Sequence, residues 1–203
     1  MNELAVMFRS DAWCASSLGV LGARFVGVFL LAASIAVSGA FGWQTALAVV
    51  AFVALDELDG TLFRRSARSM VGSSRAIRRA LDSIVDRLSV QLVSLSVLAA
   101  DFSYLPLFVA VLAREVAVCV PCIRACWRGL VIYPNRVSKI STVSVACVGI
   151  AYILGAPSLA YVFAVPMLAS AVFAVRDYCT RLDAIDRGEG RLGVDYELAG
   201  SRG

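Results

Sequence analysis

Residues 46–65 read ALAVVAFVALDELDGTLFRR. Ten apolar positions run straight into Asp56, Glu57 and Asp59, then into Gly60 and the basic pair Arg64–Arg65. A run of this kind reads as membrane-helix interior, and the acids mark where the helix leaves the hydrocarbon. Acids at such an edge are costly unless something offsets their charge, so they also mark a candidate site.

The rest of the chain agrees with a membrane reading. Of its 203 residues, 60% are hydrophobic and 17% charged, whereas soluble domains are less than half apolar and about a quarter charged. Apolar stretches mark six spans, at about 18–40, 44–62, 84–100, 104–124, 140–155 and 158–175, each near the roughly 20 residues a helix needs to cross a bilayer. The expected fold class is all-α: a polytopic membrane protein with six transmembrane helices. One membrane domain is expected over 1–180, with a polar tail over 181–203 that is briefly helical and then disordered. An amphipathic segment, LAVMFRSDAW, precedes the first span and suits the interface. The start has no basic region before an apolar core and no small-residue cleavage site, so no signal peptide is expected.

Charge sets the topology. The joints GAFGW, ADFSYLP and GAPS contain none of the 19 Lys and Arg residues, and Asp101 is the single charge in them. The other joints and the tail are basic, which puts both termini in the cytoplasm by the positive-inside rule. The net charge of +4 is therefore read as facing an anionic leaflet or phosphates rather than nucleic acid.

Topology brings a second acidic pair to the first. Span two ends on the cytoplasmic side with Asp56 and Asp59, at i, i+3; span three starts there with RALDSIVDRLSV, carrying Asp82 and Asp86 at i, i+4. Each pair shares a helix face, so four carboxylates can converge on one cytoplasmic pocket. Four acids without cations would repel and resist ionisation. Mg²⁺ or Mn²⁺ supplies what is missing, and two such ions about 3.5–4 Å apart can clamp an in-line phosphoryl displacement. Gly60 lets a phosphate approach the backbone, and Arg64 suits one. The competing structural reading pairs the acids with Arg64, Arg65 and Arg87. The chain has no His, so acid–base or metal chemistry must use carboxylates. Six cysteines occur; Cys119, Cys122 and Cys126 share a helix face but have no evident fourth ligand and read as packing residues.

The pattern Asp56-x-x-Asp59-Gly60-x-x-Phe63-Arg64, followed by Asp82-x-x-x-Asp86, resembles the signature of the CDP-alcohol phosphatidyltransferases, D-x-x-D-G-x-x-A-R and then G-x-x-x-D-x-x-x-D. LAREVAVCVPCIR resembles the Arg–Glu pair of phosphatidylglycerophosphate synthases, and RVSKIST their G-K-x-K-T stretch. Phe63 stands where the family has Ala and Arg78 where it has the second Gly. The joint after Gly60 is about five residues longer, which costs little.

The resemblance implies that Asp56, Asp59 and Asp82 ligate Mg²⁺ or Mn²⁺ and that Asp86 is the general base, also touching metal. It places Gly60 and Arg64 on the CDP moiety. Arg78, one turn before Asp82 and so on the same helix face, is read from that position as a donor-phosphate contact. Arg114, Arg136 and Lys139 are the candidates for the acceptor. The implied reaction transfers a phosphatidyl group from CDP-diacylglycerol to a polar, anionic alcohol, with glycerol 3-phosphate the first expectation, and releases CMP. The implied setting is the cell membrane, with the active site facing the cytoplasm and the chain a homodimer. Alternatives are another alcohol such as an inositol phosphate, another CDP-linked donor, or a catalytically lapsed relative serving as a membrane scaffold.

Overall fold

The structure is a computed structural model that describes residues 12–39, 41–66, 72–132, 136–189 and 196–198, with only the backbone described for 12–18, 56–57, 62–66, 72–80, 131–132, 136 and 196–198. Among the described residues six helices dominate: α1 (Ala12–Ser38), α2 (Trp43–Ser66), α3 (Gly72–Ala100), α4 (Leu105–Trp127), α5 (Arg136–Ile153) and α6 (Pro157–Asp186). Each of the six expected apolar stretches falls mostly within one of these helices. The expected amphipathic segment falls almost wholly outside the described residues.

Short joints form where the sequence supplies helix stops. Gly39 takes a positive φ of 56° after α1, and its N–H bonds Ile35 O at 3.0 Å. After α5, Gly155 at φ 77° sends its N–H to Tyr152 O, while Ala156 N–H reaches Ala151 O, both at 2.9 Å. That pair of bonds is the Schellman stop, which favours glycine in the left-handed position. Pro157 then opens α6 at a position where its missing N–H costs nothing. Between α3 and α4, Asp101 caps a single 3-10 turn, Phe102–Tyr104, by accepting from Ser103 N–H at 2.9 Å.

These three joints meet at one end of the bundle. Tyr152 OH donates to Asp101 Oδ2 at 2.6 Å, so the Ser103 hydroxyl donates to Tyr152 across 2.5 Å. These hydrogen bonds hold the Asp101 carboxyl below its ordinary range. The Tyr152 ring also meets Tyr104 and Phe41 edge-on, at centroid distances of 4.7 and 6.3 Å. Beneath lies the main apolar core, built on Ile35, Val97, Leu107, Val111, Val148 and Met167. Smaller clusters around Ala174 and Leu182 continue it along α4 and α6.

Helix α1 packs on α2 and α3, and α6 packs on α4 and α5; α3–α4 and α2–α5 contacts join the two triplets. At Gly27 an added Cβ would lie 2.7 Å from the Phe52 ring, so the absent side chain is what lets α1 and α2 come this close. Four segments among the described residues are long and apolar enough to cross a membrane: Gly19–Ser38, Leu81–Ala100, Phe102–Trp127 and Pro157–Asp186. The shorter apolar helix Val137–Ile153 has 17 residues, about 25 Å of rise. In α2 the apolar run is cut short by the acids after Leu55. Outward positions such as Leu30, Val37, Val165 and Val172 are more than 60% exposed, as suits a surface facing lipid rather than water.

Helix α6 runs on past residue 180 and stops at Asp186. Tyr196–Leu198 (β2) pairs antiparallel with Leu130–Ile132 (β1), Val131 opposite Glu197. The β-branched Val131 and Ile132 are strand formers, but a joint between two membrane helices reads as loop until a partner for them is known.

Candidate active site

The aspartates lie away from the joint end, where α1, α2 and α3 meet. Asp59 is 1% exposed, and Arg24, projecting from α1, is 5% exposed. One guanidinium joins three acids: Arg24 Nη1 lies 3.4 Å from Asp59 Oδ2 and 3.3 Å from Asp82 Oδ1, and Nη2 lies 2.5 Å from Asp86 Oδ1. Asp59 from α2 and Asp82 and Asp86 from α3 therefore meet at one guanidinium. Asp59 forms the floor. Asp82 and Asp86, with side chains 34% and 37% exposed, form the open rim.

The burial explains why a cation sits there. Three carboxylates gathered at one point, one of them buried, repel unless positive charge stands among them. A guanidinium serves because its fork of N–H donors can reach several oxygens at once.

Helix α3 has a second polar face. Arg87, one residue beyond Asp86, is turned about 100° around the helix and points at α4. Its Nη1 reaches Glu115 Oε2 at 3.3 Å and Cys119 Sγ at 3.0 Å, and its Nη2 lies 3.7 Å from Cys122 Sγ. Glu115 also pairs with Arg114. Arg114 Nε donates to Ser141 Oγ at 2.9 Å and Nη2 to Thr142 Oγ1 at 3.1 Å. A chain of polar contacts thus runs from α3 through α4 to α5. Arg114 and Glu115 are both buried, and each is satisfied within this chain.

A protein-family model, CDP-alcohol phosphatidyltransferase, matches residues 13–176. The chain belongs to the CDP-alcohol phosphatidyltransferase family. No curated protein and no solved structure gives a significant match. Membership places the chain in the general class of CDP-alcohol phosphotransferases, membrane enzymes that are in general dependent on divalent metal.

The donor set fits that dependence. Asp59, Asp82 and Asp86 offer hard carboxylate oxygens, which Mg²⁺ and Mn²⁺ prefer. Among the described residues, no three acidic or thiol side chains are already closed around a metal-sized centre. The three aspartates meet at the guanidinium instead.

Of the other expected site residues, Gly60 is half-buried in α2, directly after Asp59. The side chains of Asp56, Arg64, Arg78 and Arg136 lie outside the described residues, as does the rest of the 67–71 joint. Lys139 is exposed on the first turn of α5, two residues from Ser141. Arg24 is the site residue that sequence reasoning did not single out. Its signal was present: a lone arginine in an apolar helix, ARFVGVFLL, needs a partner or a polar cavity.

Proposed function

We propose that this protein transfers a phosphatidyl group from CDP-diacylglycerol to an anionic alcohol, glycerol 3-phosphate first among candidates, and releases CMP. The observation that carries this reading is the convergence of Asp59, Asp82 and Asp86 on one buried cationic position, in a chain of this family.

In the proposed mechanism, Asp56, Asp59, Asp82 and Asp86 hold two Mg²⁺ or Mn²⁺ ions. Ions bound there supply positive charge to the donor pyrophosphate and to the departing CMP. Asp86, on the open rim, takes the proton from the acceptor hydroxyl. The alkoxide oxygen attacks the phosphatidyl phosphorus as that atom's bond to the CMP oxygen breaks. Gly60 leaves room for the nucleotide beside Asp59, and Arg64 and Arg78 hold donor phosphates.

For the acceptor, exposed Lys139, with Arg136 at the first position of α5, offers positive charge beside a helix N-terminus, a favourable place for a phosphate. Arg114 acts one step back: it holds Ser141 and Thr142, and with them the first turns of α5, in place. The site faces the cytoplasm in a six-span topology. Reporter fusions at Arg68, Tyr133 and Gly190 then read inside, and one at Ser158 reads outside. The working unit is a homodimer, which light scattering of the purified protein tests.

The experiment is CMP release from CDP-diacylglycerol by protein in lipid nanodiscs with Mn²⁺, across a panel of glycerol 3-phosphate, inositol phosphate and uncharged alcohols. Release that requires both metal and an anionic alcohol supports the reading. Release with none of them points to the lapsed scaffold, which Phe63 and Arg78 at motif positions would then explain.

A further inference from the structure

We propose that Arg24 is a resident counter-cation for the aspartate cluster, standing where a divalent ion needs to be, so that metal enters only as the guanidinium withdraws. The inference rests on the metal reading proposed above and adds a residue outside both aspartate motifs.

Its basis is geometric. Arg24 is 5% exposed and comes from α1, a helix that carries neither acidic pair. Its two terminal nitrogens touch Asp59, Asp82 and Asp86 at 3.4, 3.3 and 2.5 Å. Those carboxylates are the hard-oxygen donors available to a divalent ion. A guanidinium and a metal cannot both sit between the same oxygens, because like charges at that range repel strongly. The flanking residues Leu21 and Phe25 line an apolar groove of about 360 Å³ with Leu81, Ile84, Val85 and Leu88, so on that side the arginine is bordered by hydrocarbon. Without Arg24 the metal-free cluster would lose the cation that three of its acids share. With it, the protein is stable before metal arrives, and binding becomes an exchange of one cation for another.

A purely structural arginine makes the opposite prediction for metal. If Arg24 only braces α1 against α2 and α3, removing it loosens the carboxylates and weakens metal binding. If Arg24 competes, removing it strengthens metal binding while lowering the stability of the metal-free protein.

The test measures Mn²⁺ binding without nucleotide, by the electron paramagnetic resonance signal of free Mn²⁺, together with the unfolding temperature. The samples are the wild-type protein, Arg24→Gln and Arg24→Lys in nanodiscs. Arg24→Gln is expected to bind Mn²⁺ at least tenfold more tightly than wild type, to unfold at a lower temperature without metal, and to recover when Mn²⁺ is added. Lys presents a single point charge that cannot bridge three acids, so Arg24→Lys is expected between the two. Should Arg24→Gln fail to fold without metal, Arg24→Lys decides alone, and tighter binding than wild type supports the exchange. Equal or weaker Mn²⁺ binding in the folded variants overturns it while leaving the metal site standing. No Mn²⁺ binding by any of the three overturns the metal reading itself.

Discussion

Glu115→Gln keeps the side chain's shape and removes the negative charge that Arg87 and Arg114 share. Most hydrogen bonds survive the change: Arg114 retains Ser141 and Thr142, and Arg87 retains the Glu115 carbonyl and Cys119. What is lost is neutralisation, which leaves two guanidinium groups close together with no carboxylate. Removing one partner of a buried ion pair costs about 3–5 kcal/mol. Arg114 is buried at 6% side-chain exposure while Arg87 is at 25%, and partial solvation of the second charge favours the lower end, about 3 kcal/mol. Reversible unfolding in mixed micelles measures it. The double variant Arg87→Gln, Glu115→Gln should recover part of the loss, because one stranded charge goes with it. A Glu115→Gln protein within about 0.5 kcal/mol of wild type, the usual size of a surface change, would refute the reasoning.

Three further outcomes follow from particular contacts. Gly27→Ala puts a methyl 2.7 Å from the Phe52 ring and should destabilise the bundle by about 1–3 kcal/mol; an unchanged unfolding temperature would mean that the ring gives way freely. Asp101 has its carboxyl pKa lowered by Tyr152 and Ser103 from an ordinary 3.8, so its contribution is present above that value and lost as pH falls through the lower folded value. Asp101→Asn should therefore flatten the acid end of the stability profile, and an identical profile would remove Asp101 from that role. Lys139→Ala, on an exposed side chain, should leave stability unchanged and raise the acceptor KM about tenfold or more, the size of one charge-assisted bond, with the CDP-diacylglycerol KM unmoved; equal shifts in both would place Lys139 elsewhere.

The sequence carried the helices and the acids further than it carried the cations. Periodicity put Asp82 and Asp86 on one face of α3, a local rule of helix geometry, and both reach the same guanidinium as Asp59. The arginines obey no such rule. Arg24 finds acids 35, 58 and 62 residues away, a choice made by tertiary packing. Arg87 looked like a partner for its neighbouring aspartates, yet one residue of helical rotation carries it to α4. Arg114 and Glu115 show the same limit: adjacent helix positions do not normally face each other, yet these two long side chains, buried together between helices, pair with one another. The β1–β2 pair escaped notice because its two strands are separated by all of α5 and α6.

The central claim is that Asp86 does chemistry in a metal-binding carboxylate site, and one paired measurement on Asp86→Asn tests it most directly: Mn²⁺ binding and CMP release by the same nanodisc preparation. The account predicts a variant that still binds Mn²⁺ through the remaining aspartates and releases CMP at least a hundredfold more slowly, at the scale of a lost general base of about 10²–10⁴ in rate. Wild-type turnover in Asp86→Asn would contradict it.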